Sequence, residues 1–187
     1  MRVSILPSSR VEWAFGLAWV SATTVGWVVG FAVCEFVKNF SLPSATEGVV
    51  LGTSIGITQW LALKGRINRA GWWILASFIG FGVGKFVGDA IAQEVSGALG
   101  SGLSGATIGA SLGLAQWLVL RRQVAQAGWW VLVSVLGWAV GWSIISFVDE
   151  VANTPTGTAY LIGAAGAAVA GVITAVLLMR ILRLRPA

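Results

Sequence analysis

The chain has 187 residues, of which 57% are hydrophobic and 10% charged, with a mean hydropathy of +0.85. A soluble domain is roughly a quarter charged, so this composition excludes an ordinary water-soluble fold and leaves one integral membrane domain over residues 1–187, with no length to spare for a second. The net charge of +5 sits in short links and termini, not on a folded basic module; it excludes nucleic acid as a partner and reads as a topology signal.

There is no histidine, and Cys34 is the single cysteine. A His-ligated haem, chlorophyll or metal is therefore not expected, nor is the usual neutral-pH proton shuttle. No intrachain disulfide can form. No Ser/His/Asp or Cys/His set exists, the carboxylates are dispersed, and the expectation is a protein that is not an enzyme.

In chain order, residues 1–10 are a short polar lead-in. The apolar run 13–37 is longer than the roughly 7–15 residues of a signal-peptide h-region and lacks a small-residue cleavage pattern, so it is read as a retained first span. A loop at 38–47 carries Asn39, Pro43 and a formal glycosylation acceptor at Asn39–Phe40–Ser41. Further spans are expected at 48–63, 71–92, 103–120, 128–147 and 159–182, separated by cationic links at 64–69 and 121–126, a Gly/Ser-rich approach at 96–104 and a last loop at 149–158. Gly100, Gly102 and Gly105 match the letters of a dinucleotide fingerprint, but no strand precedes them and a membrane helix follows, so the match is accidental.

The charges sort by side. Arg2, Arg10, Lys64, Arg66, Arg69, Arg121, Arg122, Arg180, Arg183 and Arg185, ten of the twelve basic residues, fall on one side of six crossings. Most acids fall on the other. This positive-inside pattern places both termini in the cytoplasm.

The segment QWLALKGRINRAGWW at 59–73 returns as QWLVLRRQVAQAGWW at 116–130. Around it, Trp19, Thr23, Gly26, Trp27 and Gly30 match Trp73, Ser77, Gly80, Phe81 and Gly84, and then Trp130, Ser134, Gly137, Trp138 and Gly141. Gly48, Gly52 and Gly56 match Gly105, Gly109 and Gly113, with Gly163 and Gly171 surviving in the sixth span. The chain thus reads as three two-helix units, about 11–66, 67–122 and 123–183, all in one orientation; this is a parallel repeat and not the inverted kind found in many transporters.

In the odd spans the shared Trp, Thr/Ser and glycines lie at i, i+4, i+7 and i+11, on one helical face. In the even spans a glycine zipper runs towards Gln59 or Gln116. These are helix-packing faces, because membrane helices associate through small residues and interhelical hydrogen bonds. Similar depths predict hydrogen bonds from Gln59 to Ser77 and from Gln116 to Ser134, worth about 1 kcal/mol each.

Trp60, Trp72, Trp73, Trp117, Trp129 and Trp130 flank the cationic links and are expected as interfacial anchors. Trp27 and Trp138 stand deeper in their spans; they either fill space beside glycines or bind a lipid, quinone or pigment. Lys85 and Asp89 are four apart near the outer end of the third span, with Glu35 at the position equivalent to Asp89. They form either a local ion pair or part of a transport path.

The two QWL…AGWW segments resemble a repeat in functionally uncharacterised multi-pass membrane proteins of bacteria, including photosynthetic ones. The resemblance covers the second to fifth spans; the first is more divergent, and the sixth lacks the Gln-Trp pair. It implies a bacterial cytoplasmic or photosynthetic membrane and a hairpin repeat, and it carries no activity. The leading expectation is an all-α, six-span, non-enzymatic protein serving as a structural or accessory subunit beside other membrane subunits. The alternatives are a small channel or transporter, and a lipid, quinone or pigment binder.

Overall fold

A computed structural model describes residues 8–38, 45–152 and 159–183, nearly all of them in helices, turns or bends. The expected loop tips at 39–44 and 153–158, with the glycosylation acceptor, lie outside the described residues. Six helices follow one another: α1 Ser8–Lys38, α2 Ala45–Leu63, α3 Trp72–Glu94, α4 Gly97–Leu120, α5 Trp129–Ala152 and α6 Ala159–Arg183. The chain is all-helical over these residues, as the unbroken apolar runs without internal proline predict.

Five helices, all but α2, are long and apolar enough to cross a membrane. The short α2, 19 residues with Glu47 in its first turn, falls below that mark. Two boundaries differ from the sequence reading. The Gly/Ser-rich approach is already helical, so α4 starts at Gly97, with left-handed backbone at that glycine (φ 70°). Its small residues let α4 lie close to α3: a Cβ on Gly88 would sit 3.2 Å from the Cα of Ser104. At the other end, α5 continues through Asp149 and Glu150 to Ala152.

Each helix packs on its two neighbours in the chain, and α6 packs on α1. The result, among the described residues, is a closed ring whose helix backbones do not meet across the middle. Glycines set the close approaches. Gly26 and Gly30 of α1 lie on α2, Gly48, Gly52 and Gly56 of α2 on α3, and Gly80 and Gly84 of α3 on α4. In the same sense Gly105, Gly109 and Gly113 of α4 lie on α5, and Gly137 and Gly141 of α5 on α6. Gly163 and Gly171 of α6 complete the circuit against Trp27 and Val20 of α1. Each helix thus turns small residues to the helix that follows it, which is how backbones approach closely enough for dispersion to hold them.

The cationic links are folded turns, not open loops. In the first, Arg66 and Ile67 N–H both bond the Leu63 carbonyl, and Arg69 takes a left-handed φ of 55°; in the second, Gln123 and Val124 bond Leu120, and Gln126 has φ 61°. Their apolar residues, Ile67, Ala70, Val124 and Ala127, turn inward and close one end of the ring.

Candidate functional site

Because no backbone of the described residues crosses the ring, its axis is filled by side chains, and these are the repeated ones. Trp19, Trp73 and Trp130, one from each odd helix, meet there as a triangle. Their ring centroids are 5.8 Å (Trp19–Trp73), 5.8 Å (Trp19–Trp130) and 5.6 Å (Trp73–Trp130) apart, all edge-to-face. That geometry suits the ring quadrupoles, each pair being worth about 0.5–1.5 kcal/mol beyond its buried area.

This revises the expectation for two of the tryptophans. Trp73 is fully buried, whereas its neighbour Trp72 is 57% exposed; Trp130 and Trp129 repeat the contrast. Adjacent helical residues point about 100° apart, so one indole of each pair faces outward while the other enters the ring. Trp60 and Trp117 remain near the links, half-buried, with Lys64 and Arg121 over their rings at 5.6 and 5.2 Å.

One turn along each odd helix lies a polar layer: Thr23, Ser77 and Ser134, joined by Gln59, Gln116 and Thr174 from the even helices. All six are buried. Trp73 Nε1 donates to Gln59 Oε1 (2.9 Å), and Gln59 Nε2 donates to Thr23 Oγ1 (3.0 Å). Trp130 Nε1 donates to Gln116 Oε1 (2.9 Å), and Gln116 Nε2 donates to Ser77 Oγ (3.0 Å). In the third position Trp19 Nε1 donates to Thr174 Oγ1 (3.0 Å).

The expected pairing of each glutamine with the serine across its own hairpin is therefore corrected. Gln116 reaches back to Ser77 of α3, the odd helix before its own, and Gln59 likewise to Thr23 of α1. The serine across the hairpin instead packs on glycine: a Cβ on Gly56 would come 2.8 Å from Ser77 Cβ. Each amide thereby ties together the odd helices on both sides of its own. A cavity of about 10 Å³, lined by Gln59, Gln116, Ser134 and Thr174 among others, lies in this layer where the third amide is missing. It has room for about one water.

A second aromatic layer lies one turn further on. Phe81 and Trp138 meet edge-to-face at 5.2 Å, and Trp27 and Trp138 at 6.4 Å. Trp27 and Trp138 are both buried, and the Trp27 indole fills the space over Gly163, its Nε1 lying 2.5 Å from where a Cβ would stand. The buried Nε1 atoms of Trp27 and of Trp142 have no hydrogen-bond partner among the described residues. Trp27 thus fills space beside a glycine, and the central cavity beside Trp138 measures about 10 Å³.

Beyond that layer, Lys85 Nζ bonds both Asp89 carboxylate oxygens (2.7 and 2.6 Å) and lies 3.7 Å from Glu47 Oε2. Its side chain is 12% exposed, and its stem packs on Gly48. Glu47 is a partner that sequence reading did not single out, since a helix-start carboxylate carries no signal of its long-range contact. Glu35 is half-buried on α1 towards the same end. Phe81 stands between Ser77 and Lys85 on α3, so the aromatic layer separates this charged group from Gln59 and Gln116.

No group of three His, Cys, Asp or Glu that could hold a metal ion occurs among the described residues. Comparison of the chain with family models, with curated proteins and with solved structures finds no match.

Proposed function

We propose that the chain is a six-span, non-enzymatic membrane protein, both termini cytoplasmic, that serves as a structural or accessory subunit of a larger assembly in a bacterial cytoplasmic or photosynthetic membrane. The observation that carries this reading is the use of the distinctive side chains. The repeated tryptophans, glutamines and hydroxyls bond one another on the axis and hold the ring shut. What the protein offers to others is its apolar outer surface, including Phe36, Phe86, Phe147 and Leu161.

A sixth crossing by α2 is supported by where its polar groups go. Thr53 and Thr58 hydroxyls bond the carbonyls of Val49 and Ser54, and Gln59 points into the ring, so little polarity is left for lipid. Nineteen residues rise about 28 Å, close to the roughly 30 Å hydrocarbon core. The cytoplasmic placement of both termini rests on the cationic links. A pore along the axis is disfavoured by two aromatic layers that meet across it.

The test is extraction of the native membrane in a very mild detergent, followed by the mass and absorption spectrum of the particle carrying the chain. A large particle of defined composition is expected. A colourless monomer or small homo-oligomer would sink the subunit reading.

A further inference from the structure

Outside the ring, a groove of about 680 Å³ runs between α3 and α4, starting at the two cationic links. Its mouth holds Arg69 from the first link and Arg121 and Arg122 from the second, and no Asp or Glu among the described residues lines it. Its floor descends along Leu75, Ile79 and Leu118, all exposed on the outer surface, with Trp72 at the rim. From Trp72 to Ile79 is two helical turns, about 10 Å of apolar wall. A cationic mouth above an apolar wall matches a molecule with a phosphate at one end and acyl chain at the other.

We infer that this groove is a binding site for an anionic phospholipid, whose phosphate lies among Arg69, Arg121 and Arg122 and whose acyl chain lies along Leu75 and Ile79. Guanidinium groups pair phosphate oxygens bidentately, and basic pockets between membrane helices are suited to acidic headgroups. The two links are clamped to hold this geometry. Asn68 N–H donates to Gln123 Oε1 (2.6 Å), and Gln123 Nε2 donates to the Asn68 carbonyl (3.0 Å).

The repeat supplies an internal control. Between α5 and α6 the positions equivalent to Arg69, Arg121 and Arg122 are Gln126, Met179 and Arg180, so one cation remains of three. Between α1 and α2 the equivalents are Phe15, Lys64 and Gly65, so one cation of three remains there as well, while the neighbouring Arg66 lies over the Phe15 ring at 4.4 Å. A general attraction of the links to any acidic surface would need no such concentration in one groove. The left-handed backbone at Arg69 does not set this groove apart, because Gln126 shares it. The inference rests on the cationic links lying at a headgroup layer, and it is independent of whether the protein belongs to a larger assembly.

The test uses the full purified chain in a nonionic detergent, with native mass spectrometry reading retained lipid. Phosphatidylglycerol and phosphatidylcholine of identical acyl chains are the probes. The wild type is expected to retain phosphatidylglycerol in preference. R69Q/R121M, which gives this groove the α5–α6 residues at those two positions, is expected to lower that retention about 25-fold, at roughly fivefold per arginine. R122Q alone is expected to lower it about fivefold and guards against misfolding of the double variant. R180Q, at the control groove, is expected to change nothing. Equal retention of the two lipids would overturn the site, as would wild-type retention by R69Q/R121M and R122Q or an equal loss in R180Q. Displacement of the lipid by soluble glycerol 3-phosphate would make this a phosphate site and overturn the lipid assignment.

Discussion

The indole N–H of Trp73 reaches back fourteen positions, across a cationic link, to the amide oxygen of Gln59 at 2.9 Å, and Trp130 does the same to Gln116 at the same distance. The bond closes the link from inside the ring. It also leaves the amide nitrogen free to bond the preceding odd helix, so one side chain fixes three helices.

Removing the acceptor therefore orphans a buried indole. Gln59→Leu and Gln116→Leu are each expected to destabilise the folded protein by about 1–2 kcal/mol. Thr174→Val, which keeps the shape and removes the acceptor for Trp19, is expected to do likewise. Trp73→Phe, which deletes the donor and part of the ring, should leave the Gln59 oxygen unpaired and destabilise at least as much. Reversible unfolding in mixed micelles measures all four, and an unchanged stability in Gln59→Leu would refute the network.

The glycines separate contact from composition. A Cβ at Gly80 would stand 2.6 Å from Leu112 Cα and 2.9 Å from the Ser111 carbonyl, which backbone atoms cannot easily yield. Gly80→Ala is expected to cost about 1–3 kcal/mol. Gly71, at the start of α3, has helical φ −59° and nothing within 4 Å of where a methyl group would stand, so Gly71→Ala should be neutral within about 0.5 kcal/mol. Similar melting temperatures for the two variants would contradict the ring packing.

The links offer a test of backbone strain with opposite signs. Gln126 holds φ 61°, and Gln126→Gly is expected to raise stability by about 0.5 kcal/mol, the relief of a left-handed side chain exceeding the added chain entropy. Gly65 holds φ 82° with open space around it, so Gly65→Ala is expected to lower stability by about 1 kcal/mol from strain alone. Changes of the same sign in both would show that the turn is not held as described.

Much of this arrangement was legible one helix at a time. The helical periodicity that put Trp73, Ser77, Gly80 and Gly84 on one face already contained the signal that Trp73 packs inward; it conflicted with the habit of reading tryptophans beside a cationic link as headgroup anchors. Trp72, one residue earlier, fits that habit. The arginine groove was less legible, because Arg69 and Arg121 come from different links and read separately as topology charges. Nothing in either link shows that Asn68 and Gln123 join them.

The sequence by itself determined the helices, the links and the faces within each helix, because hydropathy, turn residues and the 3.6-residue period act over a few neighbouring positions. Tertiary structure decided which odd helix each glutamine reaches, that three tryptophans share one axis, and that Lys85 meets Glu47 as well as Asp89. These depend on the rotation of every helix about its own axis, and that rotation is set only when all six pack at once and α6 closes against α1.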